Sequence, residues 1–102
     1  MIIFNTTYLV HPRLEEKFLA WIKESYIPQV KATGLLQAPR LMKVLTDEKD
    51  GISFSLQWEA DNVSAMGQYK KAHQSKMEEQ VIKEFGESVL FFSTHLKVYD
   101  IL

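Results

Sequence analysis

The stretch Ile52-Ser53-Phe54-Ser55-Leu56-Gln57-Trp58-Glu59 alternates without a fault. Large apolar side chains take every second position and polar ones the positions between. That period of two belongs to a strand with one face on a core and the other face polar. Asp47-Glu48-Lys49-Asp50-Gly51 precedes it. This run superficially resembles a calcium loop but lacks the spaced oxygen ligands of an EF-hand, so a hairpin turn ending in Asp-Gly is expected. Residues 35–46 then read as the pairing strand, with Arg40, Met42 and Val44 on one side and Leu41, Lys43 and Leu45 on the other. Pro39 has no N–H to donate, which places it near a strand start or on a sheet edge.

After Glu59, Asp61 or Asn62 can cap a helix. Met66, Tyr69, His73, Met77, Val81 and Phe85 recur at helical spacing, and Gly86 stops the helix. Gly67, inside the first turns, costs about 1 kcal/mol relative to alanine and is expected to permit a close contact. Residues 88–99 alternate as a last strand. Leu90, Phe92, Thr94, Leu96 and Val98 face one way; Val89, Phe91, Ser93, His95 and Lys97 face the other.

On the N-terminal side, residues 2–10 alternate with apolar or β-branched residues in both rows, a strand partly buried on both faces. His11-Pro12 ends it, and Glu15 and Glu16 suit the positive start of a helix. Leu14, Phe18, Trp21, Ile22 and Ser25 form one helical stripe. Pro28 cannot donate its N–H and pushes Ile27 away from helical angles, so a kink or restart is expected there, aiming Trp21 and Tyr26 inward. Gly34 fits the left-handed position after a last helical turn.

The order is β-α-β-β-α-β over a single domain, residues 1–102, with no low-complexity linker. One four-stranded antiparallel sheet with two helices on one face satisfies it: an α+β, ferredoxin-like fold. The face away from the helices is expected to carry Asn5, Thr7, Ser53, Ser55, Gln57, Ser93 and His95, mixed with Ile3, Leu9, Val89 and Phe91. A face so mixed is rarely left bare. Packing it on the same face of a second copy gives a homodimer, a dimeric α+β barrel.

Composition narrows the function. With 46% apolar and 25% charged residues the chain is an ordinary globular one. A net charge of −1, with no basic block, gives nucleic-acid binding no electrostatic support. The third strand offers Ser53, Ser55 and Gln57 where an RNA-recognition sheet would present stacking aromatics. The absence of cysteine removes disulfides, thiol nucleophiles and cysteine metal sites. No apolar run is long enough for a membrane span, and the start has no leader pattern, so a cytoplasmic location with no membrane partner is expected.

Trp21-Ile22-Lys23-Glu24, Ile27-Pro28-Gln29-Val30 and Ala32-Thr33-Gly34, followed in order by Arg40-Leu41, Gln57-Trp58, Tyr69, Phe85-Gly86 and Phe91 through Leu96, resemble the DUF4286 family over nearly the whole chain. The resemblance implies a ferredoxin-like dimeric α+β barrel. That group includes antibiotic-biosynthesis-type monooxygenases and haem-binding or haem-degrading proteins. It implies no reaction of the family's own. The pattern it resembles has a histidine where this chain has Tyr26, and an arginine where this chain has Ser93. If that histidine and arginine do chemistry or bind an anion, the resemblance implies an activity lost or altered in this chain.

Candidate site residues are few. Trp21, Tyr26, Tyr69 and His73 are expected to line one cavity floored by the sheet, or simply to pack as core. Arg40 and Gln57 would add polar contacts, or serve as a solvated edge residue and a cross-subunit hydrogen bond. His73 is either a core histidine satisfied by one hydrogen bond, or a general base or haem ligand. His11, His73 and His95 lie on separate elements, so no metal site is expected, and no cofactor. Catalytic residues cannot be assigned from these patterns. The reading is a dimeric small-molecule-binding protein. Its alternatives are a cofactor-independent monooxygenase acting on a planar aromatic, and a structural or regulatory dimer without ligand.

Overall fold

A computed structural model describes residues 1–46 and 50–101. The expected Asp-Gly hairpin turn falls mostly on 47–49, outside the described residues. Strand β1 (Ile2–Val10) runs into a short 3₁₀ turn at Pro12–Leu14. Helix α1 (residues 15–32) follows, then β2 (Gln37–Lys43) and β3 (Ile52–Ala60), helix α2 (residues 63–85), and β4 (Val89–Lys97). The sheet order is β2-β3-β1-β4 with every neighbouring pair antiparallel, the ferredoxin-like arrangement expected. The chain is a slab 19 Å through its thinnest axis: one layer of sheet and one of helix. No helix among the described residues is long and apolar enough to cross a membrane.

The two central strands set the faces. Phe4 pairs with Trp58, Thr6 with Leu56 and Tyr8 with Phe54, and all six are buried under the helices. Residues directly opposite in an antiparallel ladder share a face, so Asn5–Gln57 and Thr7–Ser55 lie together on the other side. There Ser55 Oγ donates to Asn5 Oδ1, and Asn5 Nδ2 donates to Thr7 Oγ1 at 3.4 Å.

Strand β4 corrects an expectation. Its register sets Val89 against Val10, Phe91 against Tyr8, Ser93 against Thr6 and His95 against Phe4. These four therefore face the helices, while Leu90, Phe92, Thr94 and Leu96 occupy the open face. The two rows of β4 are similar in apolar content. Alternation alone does not say which row faces inward; the pairing does, and a slip of one residue would reverse it.

Both helices contain a π-helical turn. In α1 the segments are Glu15–Trp21, the π turn Ile22–Tyr26, and Ile27–Ala32. Pro28 was expected to force Ile27 out of helical angles, yet Ile27 sits at φ −58°, ψ −46°. The reason is the widened turn before it. The N–H of Ile27 bonds to the carbonyl of Ile22, five residues back, which relaxes the crowding a proline ring brings to an α-helix. The chain ends α1 at Gly34, φ +73°, as expected. In α2 the segments are Val63–Tyr69, the π turn Lys70–Gln74, and Ser75–Phe85. Asn62 caps it by accepting from the N–H of Ala65 at 2.8 Å. Strand β2 is an edge, bulged between Gln37 and Arg40, with Ala38 at φ +53° beside Pro39.

Candidate functional site

The helix side of the sheet holds a linked set of hydroxyls. The three phenols of Tyr8, Tyr26 and Tyr69 are 1%, 4% and 1% exposed. The Tyr26 phenol interacts with those of Tyr8 and Tyr69, and the Tyr8 phenol with the Thr6 hydroxyl. Thr6 Oγ1 in turn lies 2.8 Å from Ser93 Oγ. Tyr26 and Ser93, the two departures from the resembled pattern, are thus joined through Tyr8 and Thr6. Burial above all raises the pKa of each phenol far beyond the ordinary tyrosine value, and the negative Glu78 carboxylate adds to it. All three stay protonated at any physiological pH. They bridge and orient; they do not act as bases.

A file of rings crosses this cluster. His73 stacks on Tyr69 at 5.9 Å, Tyr69 tilts against Phe4 at 5.7 Å, and Phe4 stacks on His95 at 5.0 Å. Trp21 joins from the side, 5.6 Å from Tyr26 and edge-on to Phe85 at 5.4 Å. These contacts pack Trp21 and Tyr26 together. At the His95 end of the file lies a hollow of about 290 Å³ lined by Ile2, Val63, Met66, Gly67, Lys70 and His95. A Cβ on Gly67 would meet nothing within 4 Å, so this glycine permits no close contact, contrary to expectation; it borders open space. Burial, then the nearby Lys70 ammonium, lowers the pKa of His95, with Glu78 opposing.

The sheet divides the residues singled out in the sequence. Trp21, Tyr26, Tyr69 and His73 come together on the helix side through the contacts above. Arg40 and Gln57 are opposite one another in the β2–β3 ladder, on the far face. With Ile3, Ala38, Trp58 and Glu59 they line a separate recess of about 90 Å³. Thr6, Tyr8, Lys70, Gln74 and Glu78 were not anticipated. Tyr8 was detectable: a phenol in a core row needs a partner for its hydroxyl. Gln74, at the end of the second π turn, has a buried Oε1 with no hydrogen-bond partner among the described residues. No spacing pattern foretells that.

A βαββαβ sheet with both helices on one face defines an α+β protein of the ferredoxin-like class. The chain belongs to the DUF4286 family, described as a domain of unknown function, whose model matches residues 1–99. No curated protein matches it. Among solved structures it is similar to a dimeric ferredoxin-like protein from an uncultured marine organism, with a TM-score of 0.75 at 12% identity over 98% of this chain and 97% of that one. It is similar also to an antibiotic biosynthesis monooxygenase, TM-score 0.64 at 14% identity, covering 98% of this chain and all of that one. An ethyl tert-butyl ether d (EthD) family protein from Bacillus halodurans aligns with a TM-score of 0.64 at 10% identity, over 92% of this chain and 97% of that one. At such identities the likeness is one of fold.

Proposed function

We propose that this protein is a homodimer that takes up a small molecule at the end of the ring file, against the helix side of the sheet. The hollow beside His95 carries this reading, because it joins an apolar wall to two polar heads, the usual make-up of a small-molecule site. Tyr69 and His73 back it through the stacked file, and Trp21 packs on Tyr26 behind them. Mass spectrometry of the gently purified protein tests it. A small molecule retained by the native protein and lost from the Gly67→Leu variant is the expected result. No retained molecule, and no saturable binding from a broad metabolite panel, would defeat it.

The dimer half of the proposal is supported by the open sheet face. Leu90, Phe92 and Leu96 are 58%, 62% and 49% exposed there, next to the Asn5–Ser55–Thr7 hydrogen bonds. A face of four strands is broad enough for the roughly 800 Å² per partner of an ordinary stable interface. Arg40 and Gln57 would then meet the partner copy rather than the ligand. Sedimentation of the free protein should give twice the protomer mass. If the site is catalytic, cofactor-independent oxygenation of a planar aromatic is the reaction the same groups would serve. His95 or His73 would take the substrate proton, because burial holds the phenols protonated. Oxygen uptake with quinol-type substrates measures it.

A further inference from the structure

We infer that the hollow between the start of α2 and the end of β4 is a site for a flat apolar monoanion, an aromatic carboxylate in chemical class. This rests on the ligand-binding reading above and adds charge and shape to it. The walls are apolar: Ile2 comes from β1, and Met66 and Val63 from the first turns of α2. Val63 leaves 69% of its surface in water at the rim, a large apolar area with nothing over it among the described residues. Met66 offers a thioether, a group that packs well against ring edges.

The one standing charge lining this hollow is positive. Lys70 makes no ion pair among the described residues, and the imidazole of His95 lies close enough to feel its charge. Glu78 is the one acidic group that reaches His95, and its influence is the weakest of those acting there. An anion seated between the Lys70 ammonium and the His95 ring would accept a hydrogen bond from each. It would also favour the protonated form of the His95 ring, which burial and Lys70 disfavour.

Count and size set the class. One lysine and one imidazole supply about one positive charge, which balances a monoanion. No arginine fork lines the hollow to hold a phosphate bidentately. A volume of about 290 Å³ accommodates one or two fused rings and is too small for a dinucleotide or a haem. The His95 ring is held by its stack on Phe4 at 5.0 Å, so the polar head is fixed by the core rather than by a loop.

The test is NMR titration of the full chain with 2-naphthoate, with the neutral 2-naphthalenemethanol of the same shape, and with inorganic phosphate. Naphthoate should shift Met66, Gly67 and the His95 ring saturably and bind at least about tenfold more tightly than the alcohol. It should also raise the midpoint at which His95 titrates. Lys70→Gln should bring the two affinities together. Gly67→Leu, which alters an exposed helical position with free space beside it, should block both probes while leaving the core methyl spectrum unchanged. Equal affinity for the alcohol, or shifts that miss Met66, Gly67 and His95, would overturn the assignment. So would phosphate binding as tightly as naphthoate. If no probe binds while the purified protein still retains a neutral or larger molecule, the class alone is wrong. If nothing binds and nothing is retained, the underlying reading falls with it.

Discussion

On the helix side of the sheet Phe4, Tyr8, Phe54, Leu56 and Trp58 are all at or below 3% exposure; on the other side Leu9, Leu90, Phe92 and Leu96 keep between 39% and 62%. Both faces are built by the same alternation, yet they distribute apolar side chains differently. The closed face takes its bulk from the central strands β1 and β3. The open face takes Asn5, Thr7, Ser53, Ser55 and Gln57 from their middles, and its most exposed apolar side chains, Leu90, Phe92 and Leu96, lie along the edge strand β4 beside Leu9. A second copy would therefore meet a greasy flank beside a hydrogen-bonded seam. In the proposed dimer the flank would supply affinity, and the seam would fix the register in which two copies meet.

The sharpest way to break that contrast is to cut one ring from each face. Phe18→Ala empties the closed face, where Phe18 touches Tyr8, Phe54 and Phe85 at ring separations of 5.2 to 5.7 Å. It should cost about 3–5 kcal/mol of unfolding free energy, measured by urea denaturation. Phe92→Asp on the open face should leave protomer stability within about 0.5 kcal/mol. Its effect should appear in sedimentation, as a dimer dissociation constant raised about a hundredfold, the loss of one central anchor of roughly 2.7 kcal/mol. If Phe92→Asp instead unfolds the protein as severely as Phe18→Ala, the two faces are not distinct and the open one belongs to the protomer's own core.

The hydroxyl cluster sharpens the account of the closed face. Tyr8→Phe removes one buried link and should cost about 1 kcal/mol at neutral pH. Its pH signature is more specific. The folded pKa of Tyr8 is raised by burial above the ordinary value of 10. Below pH 10 the phenol is protonated in both states and stability does not depend on it. Above pH 10 the unfolded chain ionises while the folded one cannot, so stability falls as pH rises. Tyr26 and Tyr69 act in the same sense. The alkaline slope from the three phenols should lose about 1.4 kcal/mol per pH unit in Tyr8→Phe. An unchanged slope would mean that Tyr8 ionises freely in the fold.

The elements, their order and the sheet were legible because alternation and capping are local properties of the sequence. The inner row of β4 was not, since it depends on a register set by β1, most of a chain length away. The π turns lie between these cases. In α1 the buried residues Phe18, Ile22, Tyr26 and Val30 fall every four residues, and in α2 Tyr69, Met77, Val81 and Phe85 keep the same interval around a half-buried His73. Steps of four on a 3.6-residue helix slide the stripe by about 40° each time. One wider turn takes up that slide and keeps the row on the sheet. Strict four-residue spacing was thus a visible sign, with Pro28 as a second one in α1. The residues singled out as site candidates were not legible as one place: Tyr26, Tyr69 and His73 share one cluster, whereas Arg40 on β2 and Gln57 on β3 face the other side of the sheet, where the pairing of these two strands sets them.

The smallest expected effect concerns the second π turn. Gln74 ends it with a buried Oε1 that no donor meets among the described residues. An acceptor taken out of water without a donor is a standing cost, so Gln74→Leu, near in size and without polar atoms, should stabilise the protein by about 1 kcal/mol. Thermal unfolding of the ligand-free protein reads this directly. A gain would show the π turn to be held by the packing of Tyr69 and Met77 on either side rather than by its own polar residue. A loss would show that Gln74 does meet a donor inside the fold, an ordered water being the simplest one, and that the closed face is wetter at α2 than the rings around it imply.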